Sequence, residues 1–396
     1  MKLARSETWK STIGALELDT GNVSGIVTKS GLQAGYVRVA TVAPGPETRR
    51  PVTVGRPAIE PSIRPESIGL PMRRRRGLPD ETGVAIALLA LVAIVGILRP
   101  NFLQPHVLFQ QLSGSAFIGM LALGMVFVVV IRDIDLSVGW MFNFSAVIAA
   151  QAMVAGIEPW IAAVIGVLFG GLLGLVNGVL AVTLRIPVII VTLGTFSVFR
   201  GLSLVVDESR AVVPTDKGSS FFALFDIKVF GLIPSVAIAF IVLAVLMHLL
   251  LHRTRFGYRV QAIGSNPEAA RLGGIPVDRT RIQVLVLMGL IAGLTGVMFL
   301  GFREAIDPVT GGDYLLPVVA AVIIGGTPLS GGRGTIIGAV LGALIIQVIT
   351  TGILFLGVDD KWSTFVTGAV IILAVAVDKL VRHQRERRTR DAVDLG

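Results

Sequence analysis

The chain has 396 residues, of which 53% are hydrophobic and only 15% are charged, whereas soluble domains carry about 25% charged residues. Its mean hydropathy is +0.79, and its apolar residues form blocks of about 17–25, the length that a helix needs to cross a bilayer. One such block is compatible with a buried core helix, but a soluble fold does not hide so many all-round apolar helices. The composition excludes a soluble protein and predicts an all-α, polytopic membrane protein.

The charge distribution argues against a nucleic-acid partner. The formal net charge is +9, but the basic residues cluster at the ends of apolar blocks and do not alternate with aromatic residues, a pattern typical of membrane topology. The chain has no cysteine, which excludes disulfides and thiolate metal sites. His106, His248, His252 and His383 show no ligand-like spacing, so we expect neither a metal nor a cofactor.

Residues 1–79 differ from the rest of the chain. They are rich in Pro, Gly, Ser, Thr and Val, contain no apolar core of a secretory signal, and lead into "MRRRRGLPDE". Few aromatic residues and scattered prolines predict a disordered N-terminal extension. A chain beginning at Met72 keeps the arginines beside the first helix, so we expect residues 1–71 to be dispensable and not to belong to the natural protein. The alternative is a regulatory cytoplasmic extension.

Ten apolar segments follow in a predicted membrane domain, residues 80–383, before a basic tail, residues 384–396. The segments span residues 82–98, 108–131, 137–156, 160–183, 187–206, 231–251, 282–301, 314–326, 334–356 and 363–381. The fifth and eighth contain Gly or Pro, so they either cross the membrane or enter and leave on the same side.

The connecting loops predict the orientation. Positive residues precede the first segment and follow the fourth, sixth, eighth and tenth: Arg73 to Arg76, Arg185, Arg253, Arg255, Arg259, Arg271, Arg279, Arg281, Arg333 and "VRHQRERRTR". With ten segments, these loops all fall on one side, which predicts both termini in the cytoplasm.

Glycines recur at every fourth residue in two segments. They are Gly170, Gly174 and Gly178 in the fourth, and Gly334, Gly338 and Gly342 in the ninth. This spacing puts each set on one helical stripe, where two backbones can approach closely. Because the two segments have the same rank in halves of five, the pattern also fits two inverted halves; the alternative is ordinary helix packing.

A polar stretch, "AIGSNPEAARLGGIPVDRTR" from Ala262 to Arg281, interrupts the apolar segments. Ser265 or Asn266 can cap a helix, Pro267 suits its first turn, and Glu268 favours its positive end. Two glycines then end it. The resulting helix of roughly two turns is too short to cross a bilayer. It is either a plain amphipathic connector or a contact for a cytoplasmic partner.

Four stretches together resemble the permease subunits of ribose-type ABC sugar importers. They are "GYRVQAIGSNPEAARLGGIPVDRTRI", "GMVFVVVIRDIDLSVGWMFNFSAVIAA", "NGVLAVTLRIPVIIVTLGTFSVFRGLSLVV" and "DPVTGGDYLLPVVAAVIIGGTPLSGGRGTIIGAVLGALIIQVI". The resemblance covers about residues 82–381 in order and does not include residues 1–79. It implies a type II-like ABC importer permease with about ten transmembrane helices in two inverted halves.

The resemblance also implies partners. A second permease chain, either another copy or a relative, completes the pathway, a cytoplasmic ABC ATPase drives it, and a periplasmic sugar-binding protein delivers a monosaccharide, a ribose-like pentose or a hexose. The residues expected to contact the ATPase are Gly264, Asn266, Pro267, Glu268, Ala269, Ala270 and Arg271. The chain itself has no G-x-x-x-x-G-K-[ST] phosphate loop, so we expect it not to be an enzyme.

"RDIDLSVG" places Asp133 and Asp135 at the junction of the second and third segments, where charges are costly. One interpretation is a cytoplasmic turn with Arg132 and Asp133 paired. The family pattern is roughly "GGIDLSVG", so Asp135 and Ser137 match it, whereas Arg132 and Asp133 depart from it.

A passing sugar needs transient hydrogen-bond partners, and polar residues in the pathway are the candidates. They are Asp135, Ser137, Asn143, Thr192, Thr195 and Ser197. The alternative for each is a hydrogen bond within or between helices. Pro328 and Ser330 depart from the family's commoner "GGTSLFGGRG" and leave the particular sugar open.

Two other functions are alternatives for a chain of this composition. An ion-coupled secondary transporter of small polar solutes usually needs a charged residue at mid-membrane depth, and the third, fourth, sixth and ninth segments contain none in their interiors. An intramembrane enzyme is disfavoured because no H-E-x-x-H motif, paired acids or Ser-His couple is present.

Overall fold

The computed structural model describes residues 81–357 and, beyond them, residues 359, 362, 365, 366, 368, 369 and 372. The predicted N-terminal extension, the basic tail and most of the tenth apolar segment lie outside the described residues.

The described chain is built from twelve α-helices. They are α1 (Glu81–Leu98), α2 (Pro105–Val130), α3 (Val138–Val154), α4 (Pro159–Leu184), α5 (Val188–Val206), α6 (Ser220–Asp226), α7 (Ser235–Arg253), α8 (Arg255–Ser265), α9 (Pro267–Leu272), α10 (Val277–Arg303), α11 (Leu315–Ile324) and α12 (Ile336–Phe355). Short 3-10 turns cover Pro100–Leu103 and Thr310–Asp313, and strands β1 (Lys228–Val229) and β2 (Ile233–Pro234) form one antiparallel pair.

Within the described residues, seven helices are long and apolar enough to cross a membrane: α1, α2, α4, α5, α7, α10 and α12. The first nine predicted segments each coincide with a helix, which confirms an all-α, polytopic membrane protein. The fifth segment forms the 19 residues of α5, whereas the eighth forms only the 10 residues of α11. Ten residues rise about 15 Å, so α11 alone does not cross the hydrocarbon layer.

Local sequence explains where these helices begin and end. Glu158 precedes α4 and its carboxylate accepts a hydrogen bond from the backbone N–H of Ile161 at 3.0 Å, while Pro159 occupies the first helical position. The helix ends at Arg185, which adopts a left-handed conformation with φ 55°. Thr335 caps the start of α12 as Glu158 caps the start of α4, since the Thr335 hydroxyl accepts a hydrogen bond from the N–H of Gly338 at 3.1 Å.

The core centres on α2, which is buried over most of its length and packs against α7, α10, α11 and α12. Helices of the two halves of the chain pack against each other: α4 packs on α10, and α12 packs on α2. Because each fourth-ranked helix packs on the second-ranked helix of the other half, the arrangement fits two inverted halves.

The glycine stripes lie at close helix contacts, as predicted. A Cβ added to Gly170 or Gly174 would collide with the backbone of α10, and one added to Gly289 of α10 would collide with Gly170. The stripe on α12 consists of Gly338, which faces Gly325, and Gly342, which faces the Ala321 carbonyl, so it lies against α11 and the turn after it. The prediction is wrong for Gly334, which precedes α12 and faces Val126 and Val130 of α2. The two stripes therefore bring together different helix pairs.

Candidate functional site

The short polar helix α9 has the predicted caps. Asn266 adopts an extended backbone, and its side-chain oxygen accepts hydrogen bonds from the N–H groups of Glu268 at 3.1 Å and Ala269 at 3.0 Å. Gly273 caps the other end, and Gly274 turns the chain with φ 80°. Asn266, not Ser265, is therefore the residue that starts this helix.

The polar stretch contains two helices, where the sequence predicted one. Ala262–Ser265 end the 11-residue helix α8, which starts after a Thr254 cap. The buried residues of α8, Gly257, Val260, Ile263 and Gly264, recur at helical spacing. The sequence prediction missed α8 because it is too polar to form an apolar block.

The seven predicted coupling residues divide into two groups. Gly264 and Ala270 are buried, and Gly264 lies so close to the Val130 carbonyl that a Cβ would collide with it. Pro267 is half-buried, whereas Asn266, Glu268, Ala269 and Arg271 are exposed. The buried pair holds α8 and α9 against the bundle, and the exposed group forms a surface on α9.

Leu272 extends this surface and was not predicted from the sequence. Its side chain is 91% exposed at the last position of α9. It lies three residues after Ala269, so both are on one side of the helix. The available signal was a single large apolar residue in a polar stretch, immediately before Gly273. Arg271, by contrast, already pairs with Asp278 of α10, at 3.2 Å.

The turn between α2 and α3 contacts both α8 and α10. The Nε and Nη2 atoms of Arg132 donate to the carbonyls of Gly264 and Ser265, each at 2.6 Å. Asp133 pairs with Arg281 at 2.8 Å. The interpretation that Arg132 pairs with Asp133 is therefore wrong, because each side chain binds a different helix. Burial raises the pKa of the Asp133 carboxyl, and the Arg281 guanidinium opposes that rise.

Four polar residues form a buried cluster at the start of α3: the predicted Asp135, Ser137 and Thr192, and Asn177, which was not predicted. Asp135 Oδ1 accepts from the Ser137 N–H at 2.9 Å and from its hydroxyl at 2.6 Å. Asn177 of α4 donates to the Ser137 hydroxyl at 2.8 Å, and the N–H of Leu136 donates to Thr192 of α5 at 3.1 Å. The cluster thus joins α3, α4 and α5, and burial raises the pKa of Asp135 to about 6.

Further along, a second contact joins α3 to α5, and another hydrogen bond lies within α5. Asn143 donates to the Ser203 hydroxyl at 3.2 Å, and the Thr195 hydroxyl donates to the Thr192 carbonyl at 3.4 Å. Five of the six predicted pathway residues are therefore buried inside the chain, namely Asp135, Ser137, Asn143, Thr192 and Thr195. Ser197 is the exception, since it is exposed on α5.

Arg200 shares the exposed side of α5 with Ser197 and was also not predicted. Its guanidinium carbon lies 5.5 Å from the ring centroid of the buried Trp140, a distance suited to a cation–π contact. Gly194 and Gly201 leave open space beside them, because an added Cβ would meet nothing within 4 Å. A single charge inside an apolar segment was the sequence signal.

Two of the histidines are neighbours. His248 and His252 lie one turn apart on α7 with ring centroids at 4.5 Å, so the expectation that the histidines lack ligand-like spacing is wrong for this pair. Among the described residues, no group of three or more His, Cys, Asp or Glu is placed to hold a metal ion.

Comparisons with known proteins agree with the sequence resemblance. The family model described as branched-chain amino acid transport system, permease component, matches residues 107–375. The chain is 38% identical to the ribose import permease protein of Bacillus subtilis over 76% of this chain and 94% of the relative. It is 36% identical to the L-arabinose ABC transporter permease protein of Azospirillum brasilense over 81% and 95%.

It is also 36% identical to the D-allose transport system permease protein of Escherichia coli, over 76% of this chain and 92% of the relative. No solved structure matches the chain. Permeases of this kind are multi-pass proteins of the inner membrane that act with an ATPase and a substrate-binding protein. The chain therefore belongs to the family of ABC importer permeases: it is the membrane component of a transport system and not an enzyme.

Proposed function

We propose that this chain is the permease of an ABC importer for a monosaccharide, a ribose-like pentose or a hexose. The structural observation that carries the proposal is α9, a capped six-residue helix that is exposed and yet anchored to the bundle. The sugar class is supported by relatives named for ribose, L-arabinose and D-allose, each aligned over more than nine-tenths of its length. The family description names branched-chain amino acids, which are therefore the alternative cargo to test.

In this proposal α9 is the contact for the cytoplasmic ATPase. Its exposed residues Glu268, Ala269 and Arg271 meet the ATPase, and Asn266 keeps the helix formed by capping it. Buried Gly264 and Ala270 join α8 and α9 to the bundle, so a movement of the ATPase would reach the membrane helices. This assignment puts α8, α9 and both termini in the cytoplasm and the 207–231 loop outside.

The sugar pathway lies, in this proposal, between this chain and a second permease chain, either a copy or a relative. The exposed side of α5 faces the pathway with Ser197 and Arg200, whose hydroxyl and guanidinium can hydrogen-bond to sugar hydroxyls. The buried predicted residues act behind it, since Thr192 and Asn143 hold α5 against the start and middle of α3. A periplasmic binding protein supplies the affinity for sugar, so the pathway needs only transient contacts.

Uptake by the reconstituted complex tests the function. The chain is reconstituted in liposomes with its ATPase and its binding protein, and entry of labelled ribose, arabinose, allose and leucine is measured. We expect ATP-dependent entry of one or a few monosaccharides that requires both partners. Transport of leucine with no sugar entering would contradict the proposed substrate class.

One substitution tests the pathway face. Ser197→Trp should block uptake by filling the exposed side of α5, while the ATPase still co-purifies with the chain. Val242→Trp, at a 52% exposed position on α7, is the matched control and should leave uptake unchanged. Equal uptake by the two variants would remove α5 from the pathway.

A further inference from the structure

Arg132 occupies a backbone conformation that favours glycine. Its φ is 70°, in the left-handed region where a Cβ is crowded by the neighbouring carbonyl. The family pattern given above has glycine at this position and at the next. A glycine would make the turn without strain, so the presence of arginine raises the question of what its side chain contributes. Such an outlier justifies asking what the side chain does.

The Arg132 side chain binds the end of the coupling helix pair. It donates two hydrogen bonds of 2.6 Å to consecutive carbonyls, those of Gly264 and Ser265, where α8 ends. The last carbonyls of a helix lack intrahelical partners and carry the negative end of its dipole. A fixed guanidinium fork is well suited to hold two of them at once. α9 begins two residues later, at Pro267.

The same turn is fixed to α2 and to the loop before α12. The N–H of Asp133 donates to the Val128 carbonyl at 3.0 Å, and that of Gly332 donates to the Val130 carbonyl at 2.9 Å. Gly264 packs directly on the Val130 carbonyl. These contacts leave little room for α8 to move without moving the turn.

Asp133 connects the turn to α10. Its carboxylate pairs with Arg281 at 2.8 Å, and the two side chains are 11% and 31% exposed. A half-buried pair of this geometry is screened less than a surface pair. On its other side the turn runs straight into the Asp135–Ser137 start of α3. Both departures from the family pattern thus make long-range contacts to elements around α9.

We propose that Arg132 and Asp133 are positioning residues that make the α2–α3 turn the mechanical link between α8–α9 and α3. When the ATPase displaces α9, the Gly264 and Ser265 carbonyls carry Arg132 with them, and the turn passes the movement to α3. Asp133 holds the turn to α10 while this happens. The inference rests on the proposed role of α9 as the ATPase contact.

Amide hydrogen exchange in the assembled complex tests the link without knowledge of the sugar. The full chain with its ATPase in nanodiscs is compared with and without ATP and vanadate, and exchange is followed in α9 and α3 peptides. The variants are Arg132→Gly, which has the family residue, Arg132→Lys, which keeps the charge, and Arg185→Gly. Arg185 is the matched control, because it is also left-handed, exposed and at a helix end. Its backbone N–H donates to the Ala181 carbonyl, but its side chain makes no hydrogen bond or ion pair with the described residues.

We expect Arg132→Gly to keep the protection of α9 by the ATPase but to lose most of the nucleotide-dependent change in α3, at least fivefold. Arg132→Lys should retain an intermediate response, and Arg185→Gly the full response. A normal α3 response in Arg132→Gly would overturn the proposal. Loss of α9 protection together with the α3 response would overturn it too, because Arg132 would then serve only docking or folding.

The ion pair is tested by charge exchange in the same assay. Asp133→Arg and Arg281→Asp should each reduce the α3 response, and the double exchange should restore it at least partly. Failure of the double variant to recover, with α9 still protected, would count against the role of Asp133. If the wild-type complex shows a normal α3 response but takes up no sugar, the proposed function is contradicted and the link is not.

Discussion

Asp135 is a carboxylic acid enclosed at the junction of α2 and α3, outside the membrane helices. It is fully buried, and one of its oxygens accepts two hydrogen bonds from Ser137, while Oδ2 has no hydrogen-bond partner. A buried carboxylate loses hydration, and two hydrogen bonds offset only part of that cost. This residue therefore favours the native state when it is protonated and opposes it when it is ionised.

The stability of the protein should consequently depend on pH through Asp135. Its native pKa of about 6 lies above the ordinary 3.8, so its stabilising contribution is complete below pH 3.8 and is lost as pH rises through 6. The difference between these two pKa values corresponds to roughly 3 kcal/mol of stability. Asp135→Asn should match the wild type near pH 4 and exceed its thermal stability at pH 8.

Thermal unfolding in detergent at pH 4, 6 and 8 measures this difference. Asp216→Asn, at an exposed loop position, is the control and should follow the wild type at every pH. If Asp135→Asn shows the same pH dependence as the wild type, Asp135 does not titrate as its burial indicates.

Other residue-level features were only partly predictable from sequence. The motif identified Asp135 and Ser137, but their burial, and that of Asn143, depends on contacts with α4 and α5 that spacing does not reveal. The partners of Arg132 and Asp133 lie 132 and 148 residues away. Adjacent opposite charges suggested a local pair, and tertiary structure separated them.

At the scale of elements, α4 and α10 make a contact in which backbone lies on backbone. Gly170 and Gly289 face each other so closely that either Cβ would meet the other residue's carbonyl. Small residues let membrane helices pack in this way. Because the obstacle is backbone, neither helix can yield by rotating a side chain.

Gly170→Ala should therefore lower the free energy of unfolding by about 1–3 kcal/mol, the usual cost of overpacking. The matched control is Gly194→Ala on α5, where an added Cβ meets nothing within 4 Å. That variant should be unchanged or up to about 1 kcal/mol more stable, because alanine is the better helix former. Unfolding in mixed micelles measures both, and an unaffected Gly170→Ala would show that the helices are further apart.

The exposed face of α9 gives a second prediction at this scale. Replacing Glu268 and Arg271 together by alanine should reduce uptake at least tenfold and lower the amount of ATPase that co-purifies with the chain. Arg185→Ala, at the end of α4, should change neither. Normal uptake with normal ATPase retention in the double variant would remove α9 from the coupling contact.

Sequence patterns were informative for elements that have a strong physical signature. Nine apolar blocks became helices with boundaries within a few residues, since length and hydropathy suffice for a membrane helix. α8 was not predicted, because its buried side is narrow and its other side is basic. The glycine stripes predicted close packing but not which helix each stripe contacts.

At the scale of the whole molecule, two features point to one transport protein with two inverted halves. They are the charge of the loops and the packing of helices of one half on helices of the other. Because α4 packs on α10 and α12 packs on α2, the halves cannot separate without breaking the core. The orientation proposed above places the α8–α9 face inside and the α6 face outside, at opposite ends of α7.

Cysteine labelling tests this orientation cleanly, because the chain has no cysteine of its own. Asp216→Cys and Arg255→Cys are both exposed positions, before α6 and at the start of α8. An impermeant maleimide should label Asp216→Cys in intact cells and Arg255→Cys only after the membrane is opened. The reverse pattern would invert the topology.

The source of energy for uptake tests the central claim most directly. In proteoliposomes with the ATPase and the binding protein, sugar accumulation by this chain should require ATP hydrolysis and should persist when proton and sodium gradients are collapsed by ionophores. The account predicts loss of accumulation on omitting ATP or either partner. Accumulation that continues without the ATPase and stops on addition of an ionophore would contradict it, because the chain would then be an ion-coupled transporter.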